Sequence, residues 1–346
     1  MDKLLSTIIH PTNTDLPPIR TCDTPSACDT GKAVLTPDEI TRLIGCRRLK
    51  RFRDIELVGS NAILHDTGEP TPSLGTFATV PRSPRNKTPL QRPKRFFQKA
   101  HCDIGYGDCP AYGGIKYVLT IVDRCTRYVW TTTLKALDSS SLIHAFKECR
   151  AECGRLPSTI YTDCDPKLFS RDIASYLLDN NSKIRAAPQG LQNQNGLVEA
   201  AWKQMVKMAR AYLTDMQCPK YLWHWAILHA SRIMNYLPVR VGSILTTPFE
   251  LVHGIPPDWR IPFRLFATGY FRYERKGCVA RTMQGIAVGR DNKTNGMLFY
   301  NPINQRTYSS GSFKLDSSLH TPTRFGLQYD GGIFFNLKRG QRDRSV

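Results

Sequence analysis

The sequence predicts a mixed α/β core, a five-stranded sheet flanked by helices, followed by a small all-β module. Two observations lead there. Runs rich in β-branched and aromatic residues alternate with helical stretches in the order βββαβαβαα across residues 100–240. From about Leu265 the helical stretches stop, and short strand-like runs recur roughly every 12 to 15 residues between Gly and Asn-Pro turns.

Residues 1–35 mix Pro, Thr, Asp and Cys without apolar periodicity, which predicts a leader with no fold of its own. Residues 36–99 form a basic segment. It opens on a helix-start pattern, Thr36, Pro37, Asp38 and Glu39, with Ile40, Leu43 and Ile44 on one face. Arg42 to Arg53 holds six basic residues and no acid, and Arg82 to Lys99 holds seven more between Pro81, Pro84, Pro89 and Pro93. The second stretch is a linker, and a solvated surface and a nucleic-acid-contacting arm fit both charge runs equally well. In the core, 100–107, 115–123 and 127–134 read as a meander of strands. Helix 139–152, strand 159–162, helix 168–179 and strand 183–187 follow. A long helix over 193–216 and another from Pro219 to Pro238 close the core. Residues 241–264 are a connector. The β module, 265–316, has predicted strands at 267–273, 282–288, 297–300 and 306–309, and 317–346 is a C-terminal extension.

Composition narrows the function. Lys and Arg number 48 against 29 Asp and Glu, a net charge of +19 over 346 residues, which favours a polyanionic partner. Hydrophobic residues at 41% exclude wholesale disorder. Eleven cysteines without regular spacing do not make a secreted disulfide framework and fit a reducing compartment. The apolar stretch Leu4–Ile9 is too short for a signal sequence, and no window approaches the roughly 18 apolar residues of a membrane span. A soluble, intracellular protein without a membrane partner is expected. No Walker-type phosphate loop occurs, so phosphate chemistry here would be transesterification or hydrolysis.

Asp103 lies inside the first core strand, Asp163 at the end of the fourth and Glu199 early in the long helix, with 35 residues between the last two. Adjacent strands can set two carboxylates side by side and a packed helix can deliver a third. Such a cluster repels itself without cations, and hard oxygen ligands select Mg2+ or Mn2+. Taken singly, each acid fits a helix cap or a surface charge just as well. Asp103, Asp163 and Glu199, within His101-Cys-Asp-Ile-Gly, Tyr161-Thr-Asp-Cys-Asp and Asn195-Gly-Leu-Val-Glu, resemble the D,D-35-E signature of retroviral-type integrases, the copia type of LTR retrotransposon above all. Val122-Asp-Arg-Cys-Thr-Arg-Tyr, Thr247-Pro-Phe-Glu-Leu-Val-His-Gly-Ile-Pro-Pro, Gly285-Ile-Ala-Val-Gly and Tyr300-Asn-Pro support the resemblance, which covers about two thirds of the chain, residues 90–318.

The resemblance implies an RNase H-like core. It implies that Asp103, Asp163 and Glu199 are catalytic and hold two Mg2+ or Mn2+ ions, and that the protein processes retroelement DNA ends and joins them to target DNA. A homo-oligomer working in the nucleus, reached by way of cytoplasmic particles, is expected with it. A DNA-binding element remnant that no longer joins strands and an RNase H-like nuclease are the alternatives. Two departures stand out. Asp165 occupies the position two after the second Asp where the family has Gly; alternate strand residues share a face, so it is a competing metal ligand, with spacing favouring Asp163. His10, Cys22, Cys28, Cys46 and His65 include no C-x-x-C pair, so no zinc site is expected. Counted at 100° per residue from Glu199, Lys203, Lys207 and Arg210 fall within about 80° of it, while Leu197, Ala201, Met205, Met208 and Tyr212 gather opposite. That basic face and the polar loop 190–196, with Asn195, are the expected DNA contacts, although a solvated amphipathic helix fits the same pattern. Trp202, Trp223 and Trp225, the thiols Cys149 and Cys153, and His224 and His229 are expected to pack in the core.

Overall fold

The computed structural model describes residues 33–35, 62–64, 93–163, 165–186, 196–241, 243–259, 261–273, 281–291, 294, 296–316 and 335–336. The helix-start pattern after Leu35, the basic run Arg42–Arg53 and loop residues 190–195, with Asn195, lie outside them. Before the core, β1 (Ala33–Leu35) and β2 (Ala62–Leu64) pair in parallel. Sequence reasoning expected no strand there, because apolar triplets are too short for periodicity to register.

The core sheet is built from β3 (Ala100–Ala111), β4 (Ile115–Asp123), β5 (Val129–Leu134), β6 (Thr159–Thr162) and β7 (Lys183–Ala186), in the order β5-β4-β3-β6-β7. The first three form the expected antiparallel meander, and β6 and β7 join in parallel. The helices are α1 (Ser139–Cys153), α2 (Arg171–Asp179), α3 (Gly196–Asp215) and α4 (Trp223–Tyr236). Asp138 caps α1 by accepting from the Ser141 amide at 2.8 Å, and Gly154, at φ 74°, ends it in the left-handed turn that glycine tolerates. The single helix expected over 168–179 is interrupted. Pro166–Phe169 is a 3-10 turn, and Ser170, in extended conformation, caps α2.

Alternating strand residues give the sheet two buried faces. Cys102, Ile104, Leu119 and Ile121 pack with Phe146 and Cys149 of α1 and Ile173 and Leu177 of α2. Val118, Val122 and Val129 belong to the cluster that holds Trp202 and Met205 of α3 and Ala226 and Ala230 of α4.

The stretch 241–264 carries structure of its own. β8 (Val239–Val241) and β9 (Ile244–Thr246) form a hairpin, and α5 (Pro248–His253) follows. Thr247 Oγ1 accepts from the Glu250 amide at 3.0 Å, which explains the Thr-Pro-Phe-Glu string as a helix start. The module then forms an antiparallel sheet of β10 (Thr268–Tyr273), β11 (Arg281–Arg290), β12 (Met297–Asn301), β13 (Arg306–Ser310) and β14 (Phe313–Asp316), ordered β13-β12-β11-β10-β14. Four strands were expected; β14 is the addition, pairing with β10 after a turn at Gly311 and Ser312. Phe271, Ala287, Met297 and Phe299 make its small core. In the C-terminal extension, β15 (Phe335–Asn336) pairs with Gly107 and Tyr106 of β3. Among the described residues no helix is long and apolar enough to cross a membrane.

Candidate active site

Asp103 belongs to a row on one face of β3 formed by His101, Asp103, Gly105 and Gly107. The parallel register pairs Ala100 with Ile160, His101 with Tyr161 and Cys102 with Thr162, where β6 ends. Asp163 is the next residue, one step past the last pair, as Asp103 is one step past Cys102. The His101 and Tyr161 rings stack at 5.6 Å between centroids, directly before the two acids. Across β4, Thr120 is the partner of Asp103 and is buried.

Asp165 does something else. Its Oδ1 accepts from the Lys167 amide at 3.0 Å and caps the 3-10 turn, while its own amide donates to the Asp163 carbonyl at 2.7 Å. The turn forced by Asp165 and Pro166 is what stops β6 at the acids. Burial foremost, and then the charges of Asp103 and Asp165, push the Cys102 thiol well above its ordinary pKa, which leaves a neutral thiol behind the acidic row.

Glu199 stands in the first turn of α3, its side chain one third exposed. Three residues later, Trp202 is buried against Gly105, two residues along the same face from Asp103. Trp223 lies in the same way over Gly107 and donates its indole N–H to the Cys109 carbonyl at 2.9 Å. On the solvent side, Lys203 Nζ lies 3.9 Å from Glu199 Oε2. Among the described residues, no group of three or more His, Cys, Asp or Glu side chains is gathered closely enough to hold a metal ion.

Lys203, Lys207 and Arg210 are exposed, and Ala201, Met205, Met208 and Tyr212 are buried with Leu197 packed beside them, which gives α3 its two faces. Trp202, Trp223 and Trp225 are all buried. Buried too are His224 and His229, whose pKa values desolvation lowers to about 3. Cys149 and Cys153 are free thiols within the core. Sequence reasoning missed the fit of Gly105 to Trp202; a glycine opposite a tryptophan leaves no periodic signal.

Residues 93–190 match the integrase core domain. The chain is 24% identical over 274 residues, 72% of its own length and 19% of the relative's, to the retrovirus-related Pol polyprotein from transposon TNT 1-94 of Nicotiana tabacum. It is 27% identical over 148 residues, 42% of its length and 10% of the relative's, to that from transposon RE2 of Arabidopsis thaliana. The chain thus spans about a fifth or less of the curated relatives it matches. Among solved structures, the HTLV-2 integrase catalytic core domain in complex with magnesium (trimeric form) is similar, with a TM-score of 0.37 and 24% identity over 45% of this chain and 97% of that one.

Proposed function

Because residues 93–190 match the integrase core domain and the chain is homologous to transposon Pol polyproteins, we propose that it is an integrase-type polynucleotidyl transferase that processes retroelement DNA ends and joins them to target DNA. The observation that supports the reading is the parallel β3–β6 register, whose last pair, Cys102 and Thr162, stands one residue before Asp103 and Asp163.

Carboxylate oxygens are the donors that Mg2+ and Mn2+ prefer, so two aspartates and a glutamate on the covering helix fit such ions in donor type. When bound, the ions lower the barrier to attack of a hydroxyl oxygen on a phosphodiester and to departure of the leaving oxygen. Asp103 and Asp163 hold the metal side of the site. Glu199 completes it by turning from Lys203 toward the strands, and Lys203, Lys207 and Arg210, with Asn195, hold the DNA backbone alongside. DNA ends and target DNA are the partners of a homo-oligomer acting in the nucleus, reached by way of cytoplasmic particles.

The test is a strand-transfer assay on element-end duplexes with Mg2+ or Mn2+, beside chelated controls. Asp103→Asn, Asp163→Asn and Glu199→Gln should each lower joining by more than about a hundredfold, beyond what changes around a metal's ligands already produce. DNA binding without joining under every metal would favour the element-remnant reading. Cleavage by water without joining would favour a nuclease.

A further inference from the structure

We infer that Trp202, seated on Gly105, is the positioning residue that fixes the spacing between Glu199 and Asp103; the inference rests on the functional reading above. The indole is 2% exposed and lies so close to β3 that a Cβ on Gly105 would stand 2.2 Å from its Cζ2, 2.4 Å from Cη2 and 2.7 Å from Cε2. The glycine is there for approach rather than for backbone freedom, since its φ is one that any residue adopts.

The consequence runs along both elements. Gly105 is two residues from Asp103 on the same strand face, and Trp202 is three residues, just under one turn, from Glu199 on the same helix. A strand and a helix are each stiff over such distances, so the contact between positions 105 and 202 fixes the spacing between positions 103 and 199. On its other flank, among the described residues, Glu199 meets the exposed lysine Lys203 at 3.9 Å, and an exposed ion pair orients a carboxylate weakly. The Trp202 seat is therefore the contact that determines how far the first turn of α3 stands from the strand.

Gly107 supplies the internal control. It also lies under a tryptophan, with a Cβ position 2.6 Å from Trp223 Cε2, but Trp223 opens α4 and carries no candidate ligand beside it. Gly105→Ala and Gly107→Ala should both lower the melting temperature through overpacking. Only Gly105→Ala should weaken the metal site.

The probe is Mn2+ alone, its binding to the full chain followed by electron paramagnetic resonance, with DNA affinity measured in chelator. Gly105→Ala should weaken Mn2+ binding roughly 10- to 100-fold, as loss of a supporting contact does around a metal site. Gly107→Ala should leave it within about twofold, as expected of an uncoupled position. Shortening the partner, in Gly105→Ala with Trp202→Leu, should recover most of the lost affinity by making room for the added methyl group. DNA affinity without metal should stay unchanged throughout. Equal Mn2+ affinity in native protein and Gly105→Ala, equal weakening by both alanines, or no recovery in the double variant would overturn the inference. Should Gly105→Ala not fold, Trp202→Phe, which adds no atom, takes its place: weaker Mn2+ binding supports the positioning role and unchanged binding refutes it. A native protein that binds no Mn2+ would defeat the functional reading itself, and the inference with it, an outcome separate from those in which native binds and the variants do not differ.

Discussion

At the scale of single residues, Asp123 is an acid that builds, unlike the acids proposed to hold metal. It is the last residue of β4, fully buried, and its Oδ1 accepts from the Phe97 amide at 2.9 Å. Its Oδ2 accepts from the Thr126 amide at 2.6 Å and the Thr126 hydroxyl at 2.8 Å. Burial pushes its pKa up, and these donors pull it partly back. The carboxylate thereby ties the entry to β3 to the turn before β5, where Arg127 takes φ 67°. This gives the Val122-Asp-Arg-Cys-Thr-Arg-Tyr string a structural explanation: its acid closes a turn. Asp123→Ala should destabilise the fold by about 3 kcal/mol, because buried N–H groups lose their acceptor, while Asp123→Asn keeps one acceptor oxygen and should lose about half of that. Urea unfolding measures both, and a shift under about 0.5 kcal/mol for the alanine variant would contradict the role. Asp165→Asn should leave strand joining within a few-fold of native, since asparagine caps a turn as well as aspartate does. If Asp165→Asn abolished joining while Asp163→Asn did not, the second ligand would be Asp165. Sequence spacing favoured Asp163 over Asp165, but nothing in the sequence assigned Asp123 or Asp165 its structural role. Caps and buried acceptors are defined by donors that arrive from elsewhere in the fold.

At the scale of elements, α3 was the most legible piece, because its apolar and basic residues segregate at the helical period and the structure buries one set and exposes the other. The added strand β14 was not legible: Phe313–Asp316 is four residues long and follows β13 after two, too short a run to show alternation. The basic face of α3 makes a measurable claim. If Lys203 and Lys207 neutralise phosphates, each change to Ala should weaken binding to unrelated duplexes alike and flatten the log–log salt dependence by about 0.9. Glu199→Gln should instead keep or slightly raise affinity, since it removes a negative charge 3.9 Å from Lys203. Salt titrations with equal slopes for native protein and the double lysine variant would return this face to ordinary solvation. The next helix, α4, carries a pH term. His224 and His229 have pKa values lowered to about 3 by burial, against about 6.5 in an unfolded chain. The unfolded state therefore binds more protons below pH about 6.5. The stability these histidines permit is complete above that value and declines as pH falls toward about 3, by about 1.4 kcal/mol per pH unit for each group. His224→Gln and His229→Gln should each flatten the fall in urea midpoint between about pH 6.5 and 5 by one proton's worth. Slopes parallel to native would show that the histidines ionise freely in the fold.

Taken whole, the molecule joins its two predicted units more tightly than their sequence texture suggests. The change from helical to strand-like patterning near residue 265 was legible, but whether the units touch depends on side chains far apart in sequence. One hydrophobic cluster runs from Trp202, Tyr212 and Ala230 through Trp259, Leu265 and Phe266 into Ile286, Val288 and Tyr300 of the module. Polar and aromatic contacts line the same seam. Arg264 pairs with Asp215 at 3.0 Å, with both side chains mostly buried, and the Tyr112 hydroxyl donates to the Gln305 carbonyl at 2.6 Å. Trp225 stacks on Tyr112 at 5.3 Å and meets Tyr300 at the same distance, while the His229 ring lies between Tyr212 and Phe263. A seam made of core side chains should couple the two units in unfolding. Heating or urea should therefore give one transition, with probes in the core and in the module coinciding. Trp225→Ala removes an aromatic side chain from the seam and should lower stability by about 3 to 5 kcal/mol in both probes together. Arg264→Ala removes the ion pair with the largely buried Asp215 and should act in the same direction. Two separated transitions in the native protein, or a Trp225→Ala variant in which only the module's probe shifts, would mean that the seam is an incidental contact. A single shared transition means that the core carrying Asp103, Asp163 and Glu199 and the β module unfold as one cooperative unit, so that the stability of the candidate site depends on the module packed against α3 and α4.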